Sequence, residues 1–174
     1  MELPDVLGLP VPGARLRALR ADDWPLDQAL SQVPDVPRWT YFPADISEEV
    51  ARERVSRSLA LRADGRGGRF VVELAGAGVG AVGLVERVDG PYVHYAFLPA
   101  GRGRGLATLA VRAVAHWALV HGAHDVRAHT MLGNVASERV LERASFERSG
   151  VDVDPLGVTV ERWTRTRRTD PTHQ

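Results

Sequence analysis

The stretch "LPAGRGRGLAT", residues 98–108, sets three glycines and two arginines between a strand-like run, "PYVHYAFL" (91–98), and the most regular helical segment of the chain, residues 105–121. A strand that ends in a glycine-rich turn and feeds a helix aims several unpaired N–H groups at one point, with the positive end of the helix dipole behind them. Such a turn is an anion site, and phosphate is its natural ligand. Gly103 and Gly105 let the backbone approach without Cβ atoms, and Arg102 and Arg104 add charge. A plain helix entry with solvated arginines would read the same way locally.

Two familiar phosphate motifs fit poorly. A Walker loop closes on Gly-Lys-Ser or Gly-Lys-Thr, and all 22 basic residues here are arginine. A dinucleotide fingerprint needs a third glycine three positions after the second, and an acidic residue closing the next strand. Here position 106 is Leu, and Asp125 stands before that strand.

Working outward, "ARLRAL" (14–19) reads as a strand and "ADDWPLDQALSQV" as a short helix. The Pro-rich, aromatic "PDVPRWTYFP" (34–43) reads as a loop. Ser47 opens a second helix that runs to about Ala63, and "RFVVEL" and "VGAVGLVERV" form a hairpin around "AGAG". In the segment 105–121 Thr108, Arg112 and His116, four apart, make a single polar stripe on an otherwise apolar helix. "DVRAHTM", "NVASERVLERA" and "GVTVERWTR" then give strand, helix and strand. The pattern predicts one α/β (α+β) domain, and a crossover helix between 98 and 125 makes its flanking strands parallel. Residues 1–12 are an N-terminal extension, 13–165 the domain and 166–174 a disordered tail.

The 174 residues, 44% apolar, suffice for one core. Formal charge is zero, so no global field gathers nucleic acid or an anionic membrane. With no cysteine there is no disulfide, thiolate metal site or cysteine nucleophile. No long apolar run or basic leader is present, which predicts a cytoplasmic protein. Asn134 is the only asparagine, and its place before an apolar-periodic run suits a helix N-cap.

"RGRGLA" (102–107) resembles the acyl-CoA pyrophosphate loop, Arg-x-x-Gly-x-Ala, of the GNAT superfamily of N-acyltransferases. "LPAGRGRGLATLAVRAVAHWAL" and "VRAHTMLGNVASERVLERASFERSG" together resemble the two main motifs of its RimJ/RimL-like branch. The resemblance implies a mixed, mostly antiparallel sheet with a splayed parallel central pair and flanking helices. It implies acetyl-CoA as cosubstrate, no metal, and an amine acceptor, either a protein N-terminus or a small molecule. It leaves room for a homodimer. A non-catalytic acyl-CoA-binding or regulatory module on the same fold is the alternative.

Carried over residue by residue, Ala96, Phe97 and Leu98 would line the acyl arm. N–H groups of Arg102, Gly103, Arg104, Gly105 and Ala107 would meet the pyrophosphate, with the side chains of Arg102, Arg104, Arg139 and Arg143 as further phosphate candidates. Asn134 would touch the pantetheine; Ser137, three positions on, stands where this branch often carries a Ser that could protonate the departing thiolate, or is an ordinary serine of a first helical turn, and Leu141 stands where many relatives carry a general-acid Tyr, which leaves Ser137 or water for that role. Tyr92 stands where relatives often carry a glutamate, so no carboxylate base is obvious. His129, on the strand beside the expected acyl end, is the candidate base, and His94, on the other splayed strand, a substrate-side residue; each reads equally as a partly solvated strand histidine. Attack by an already neutral amine needs neither. Trp39, Tyr41 and Phe42 lie in the segment that walls the acceptor, as substrate contacts or as anchors of a long loop; Asp22, Asp23, Asp45, Glu48 and Glu49 lie near that side. An acidic pocket there would favour a cationic acceptor.

Overall fold

Alternation of apolar residues at period two builds the centre of this molecule, described for residues 1–167 by a computed structural model. Strands β1 (Val6–Gly8), β2 (Ala14–Ala18), β3 (Gly67–Leu74), β4 (Ala77–Arg87), β5 (Gly90–Phe97), β6 (Asp125–Met131), β7 (Glu147–Val153) and β8 (Thr159–Thr166) form one sheet. Their order is β1-β2-β3-β4-β5-β6-β8-β7. Helices α1 (Trp24–Ser31), α2 (Asp35–Trp39) and α3 (Glu48–Ala63) lie between β2 and β3; α4 (Leu106–Val120) links β5 to β6, and α5 (Val135–Arg143) links β6 to β7.

The alternation sorts side chains to two faces. Phe70 and Val72 of β3, Val82 and Leu84 of β4 and Val93 and Phe97 of β5 pack with Leu106, Ala110, Val111 and Val114 of α4. Val71, Ala81 and Ala96 point the other way, into smaller clusters under α1 to α3. Burying each Leu or Val contributes about 1.5–3 kcal/mol, so the α4 face holds most of the core. Arg112 and His116, from the polar stripe, are exposed.

The β3–β4 hairpin turns through Ala75 (φ 51°) and Gly76 (φ 82°), two left-handed residues whose twist suits a two-residue hairpin loop. All sheet neighbours are antiparallel except β5 and β6. Their parallel ladder is confined to Tyr92 and Arg127, whereas β4 and β5 pair from Gly80/Phe97 to Arg87/Gly90. Beyond Tyr92 the two central strands part.

Three expectations are corrected. Within the supposed loop 34–43, Asp35–Trp39 form a short helix; Pro37 sits in its first turn, where the absent N–H costs no bond. The N-terminal extension contributes β1, which pairs with β2. A seventh strand, Glu147–Val153, covers the edge of β8. Of the expected tail, Thr166 ends β8 and residues 168–174 lie outside the described residues. Among the described residues no helix is long and apolar enough to cross a membrane, and no cluster of His, Cys, Asp and Glu could hold a metal ion.

Candidate active site

The parting of β5 from β6 opens a cleft of about 750 Å³ that runs from the 98–108 turn to the opposite face of the sheet. Register fixes which backbone groups look into it. The Leu98 N–H donates to Val79 O at 3.0 Å, and Ala96 lies opposite Ala81, so bonding alternates and turns the N–H and C=O of Tyr95 and Phe97 toward the open side. The expectation for Ala96 and Leu98 is thereby corrected: their backbones face β4. Ala96 still borders the cleft through its side chain, and Leu98 packs against Leu30, Val36 and Ala81.

In the turn, Gly103 (φ 73°) and Gly105 (φ 72°) are both left-handed, and Gly105 is the N-cap of α4. A Cβ added at either would meet nothing within 4 Å, so this backbone faces open space. Among the described residues, no backbone acceptor takes the N–H groups of Gly103, Arg104 and Gly105, and those of Leu106 and Ala107 belong to the free first turn of α4. Arg102 departs from expectation. Its N–H donates to Pro99 O at 3.1 Å, and its guanidinium holds Asp35 of α2 at 2.7 and 2.9 Å and Phe97 O at 2.8 and 3.1 Å. It clamps the turn to α2 instead of offering bonds to an anion. Arg104, Arg139 and Arg143 are exposed, and none of them lines the cleft.

On the α5 side, the Asn134 Oδ1 accepts the Ser137 N–H at 3.2 Å, capping the helix, while its amide nitrogen makes no bond within the described residues. Ser137 meets a residue that sequence reasoning missed: the Tyr95 phenol lies 2.5 Å from Ser137 Oγ and donates to Ser137 O at 3.2 Å. Burial pushes the Tyr95 phenol well above its ordinary value, against a small opposing pull from Ser137, so it stays protonated. The signal was present in the period-two pattern, which gives Tyr95 the same face as Val93 and Phe97.

On the opposite face lie both imidazoles. The His94 ring covers Gly83, where a Cβ would come within 2.3 Å of its Cε1 and Nε2. The ring is exposed on its cleft side; crowding by protein on the other sides, with Arg69, Arg87 and Arg54, pushes it down to about 4. His129 meets the Tyr92 ring edge-on at 4.9 Å, and its Nε2 is buried without a partner. Burial, reinforced by Arg87, holds His129 below its usual value despite Asp152 and Asp89 nearby. Both rings are therefore neutral at neutral pH. Tyr92 and His129 also border a smaller polar cavity of about 260 Å³ that reaches Asp89, Asp125 and Asp152.

Trp39, Tyr41 and Phe42 all line the cleft. The Tyr41 hydroxyl donates to Asp154 in the β7–β8 turn, and Phe42 carries the Arg54 guanidinium 3.9 Å from its ring centre. Asp22, Asp23, Asp45, Glu48 and Glu49 do not line the cleft; Asp23 pairs with Arg17 at 2.7 Å.

Bare amides at one end of an opening, and a hydroxyl pair where β5 faces α5, suit an enzyme that passes a group from a phosphate-bearing carrier to a second substrate on the far face. The family comparison agrees. Residues 14–147 match the acetyltransferase (GNAT) domain, and the chain belongs to that family. Similar solved structures include RimL, the ribosomal L7/L12 alpha-N-protein acetyltransferase, in complex with coenzyme A (TM-score 0.82, 18% identity, 95% of this chain and 99% of that one). RimJ of Mycobacterium smegmatis with CoA-disulfide (0.76, 22%, 96% and 89%) is another. The microcin C7 self-immunity acetyltransferase MccE with acetyl-CoA and AMP (0.83, 13%, 95% and 98%) is a third. At these identities the likeness carries the fold. No curated protein matches the sequence.

Proposed function

We propose that the protein is an acetyl-CoA-dependent N-acetyltransferase that moves acetyl directly to a primary amine in a ternary complex. The observation that carries this reading is the wedge between β5 and β6, open from the amide-rich turn to the far face of the sheet. The residues fit the cosubstrate. The amides of Gly103 to Ala107 and the dipole of α4 suit a pyrophosphate, and the amide nitrogen of Asn134 is free to meet the pantetheine. The Tyr95 N–H and C=O and the Phe97 N–H are aimed to pair with the arm, and an N–H among them to polarise the thioester carbonyl, while Arg102 takes the Phe97 carbonyl.

Neutral His94 and His129 accept a hydrogen bond from the incoming amine but are weak bases, so the amine sheds its proton to solvent before it attacks. The nitrogen then bonds to the carbonyl carbon as the carbon–sulfur bond breaks. Ser137, held by Tyr95, gives its hydroxyl proton to the leaving thiolate and recovers one from the new amide nitrogen. Trp39, Tyr41 and Phe42 enclose the acceptor.

Release of CoA thiol tests the reading, with acetyl-CoA and a panel of free-amine peptides, a polyamine, an aminoglycoside and amine-blocked controls. The reading predicts thiol release matched by acetylated product for at least one free amine and none for blocked ones. Acetyl-CoA binding with no release for any amine would instead make the protein a non-catalytic acyl-CoA module.

A further inference from the structure

The far half of the cleft is walled by arginines that the chemistry above does not use. Arg54 and Arg57 come from α3, Arg69 from β3 and Arg87 from the end of β4, so only the folded topology brings them to one cavity. One buried carboxylate stands beneath them. Asp27 accepts from Arg69 Nη1 at 2.7 and 3.0 Å and from Arg54 Nε at 3.3 Å. A single anion leaves one of those two guanidinium charges uncompensated. Arg57 and Arg87 are exposed and have no carboxylate partner among the described residues. Arg87 rests 4.4 Å above the centre of the Tyr92 ring.

The nearby carboxylates do not cancel this charge. Asp35, on the cleft wall, is held by Arg102 at the turn. Asp89 is held by Arg127 at 2.6 Å, and Asp152 stands 3.6 Å from Arg162. Asp154, at the rim, accepts from the Tyr41 hydroxyl and from the Leu156 and Val158 N–H groups. The excess is felt inside the protein: Arg69 and Arg57 both push the Arg54 guanidinium below its ordinary value, after burial and against the pull of Asp27.

We propose that this arginine cluster is an anion-recognition subsite of the acceptor pocket, and that the acceptor is a primary amine bearing a carboxylate or phosphate group held by Arg57 and Arg87. The proposal rests on the acetyltransferase reading and narrows it. Guanidinium forks match carboxylate and phosphate oxygens in pairs, and in a concave wall their field is focused on whatever enters. Arg54 and Arg69 are fixed by Asp27 and supply background charge, while the two free side chains can close on the ligand. A polyamine or aminoglycoside would meet like charge there. The anionic group takes no part in bond making.

The test compares kcat/KM for three peptides that share an N-terminal serine and differ in the next two residues: Glu-Glu, Gln-Gln or Arg-Arg. Phosphoethanolamine against ethanolamine forms a second arm that separates a phosphate source from a carboxylate one. The proposal predicts that the anionic member of at least one arm exceeds its neutral partner by about tenfold or more, that the Arg-Arg peptide is poorest, and that added salt shrinks the gap. Arg57→Glu and Arg87→Glu should each narrow or invert the order. Both side chains are exposed, and thermal unfolding of each variant guards against misfolding. Equal rates across each arm, a preference for Arg-Arg, or an order unchanged in both folded variants would overturn the subsite while leaving the transferase intact. Bound acetyl-CoA with no turnover of any amine would overturn the transferase reading, and the subsite with it.

Discussion

The phenol of Tyr95 and the hydroxyl of Ser137 meet at 2.5 Å across the gap between β5 and α5. The contact ties the strand that aims its backbone at the wedge to the helix that carries the proposed proton donor. Tyr95 is half-buried and protonated, and either hydroxyl can donate across the contact; when the phenol turns its proton to Oγ, the serine proton points elsewhere.

Ser137→Ala is expected to lower kcat roughly 100-fold, the lower end of what a positioned acid contributes, with KM for acetyl-CoA little changed. Tyr95→Phe keeps the ring packing and removes only the tether, and should lower kcat about 10-fold. Steady-state kinetics on both variants and the double variant checks this. A double variant slower by the full product of the two effects would mean that the residues act independently.

His94 depends on the absence of a side chain across the strand pair. Gly83→Ala would place a Cβ 2.3 Å from the ring, and the ring can yield because its free side faces the cleft. We expect KM for the amine to rise about 5-fold with acetyl-CoA binding unchanged and stability within about 1 kcal/mol of the parent. Gly67→Ala differs in kind. Its φ is 122° and the new Cβ would lie 2.1 Å from Leu84 O, a backbone atom that cannot swing aside. It should cost about 2–3 kcal/mol in urea unfolding.

Since burial and three arginines hold His94 at about 4, it does not gain a proton between pH 8 and 5. The pH profile of kcat/KM should therefore rise with pH as the acceptor ammonium ionises and show no separate step near the ordinary imidazole value of roughly 6.5. His94→Gln should keep the shape of that profile. A wild-type step near 6.5 that vanishes in the variant would contradict the account.

Stability should follow the carboxylates beneath β2 and β3. Burial pushes Asp23 and Glu73 up, but Arg17, with the Arg20 N–H on Asp23 and Arg15 on Glu73, holds both below their ordinary values. A depressed folded value means that the stabilisation is complete above the unfolded value, roughly 4–4.5, and is lost as pH falls through the folded one. Glu73→Gln should lose about 2 kcal/mol at pH 7 and progressively less below pH 4. Urea titrations at pH 7 and pH 3.5 measure the difference.

Much of this was legible in the chain. The segment 98–108 announced the glycine turn with free amides at the start of α4, and the α4 stripe announced the crossover that makes β5 and β6 parallel. What escaped had weak local signals. Val6–Gly8 is too short to show a period, and Glu147–Val153 is an exposed, bulged edge strand with little burial to pattern it. Asp35–Trp39 hid behind its proline. The Tyr95–Ser137 pair joins residues 42 positions apart, the arginine wall draws on α3, β3 and β4, and only the folded arrangement reveals which of them meet. The same topology turned Arg102 from an expected phosphate ligand into a clamp on Asp35.

The claim on which the rest depends is that the opening between β5 and β6 holds acetyl-CoA over the amides of Gly103 to Ala107. Calorimetric titration of the protein with acetyl-CoA, with NAD as the control ligand, tests it most directly. The account predicts one site per chain of about micromolar affinity (roughly −8 kcal/mol) for acetyl-CoA and no heat with NAD. Absence of acetyl-CoA binding, or equal binding of NAD, would contradict it.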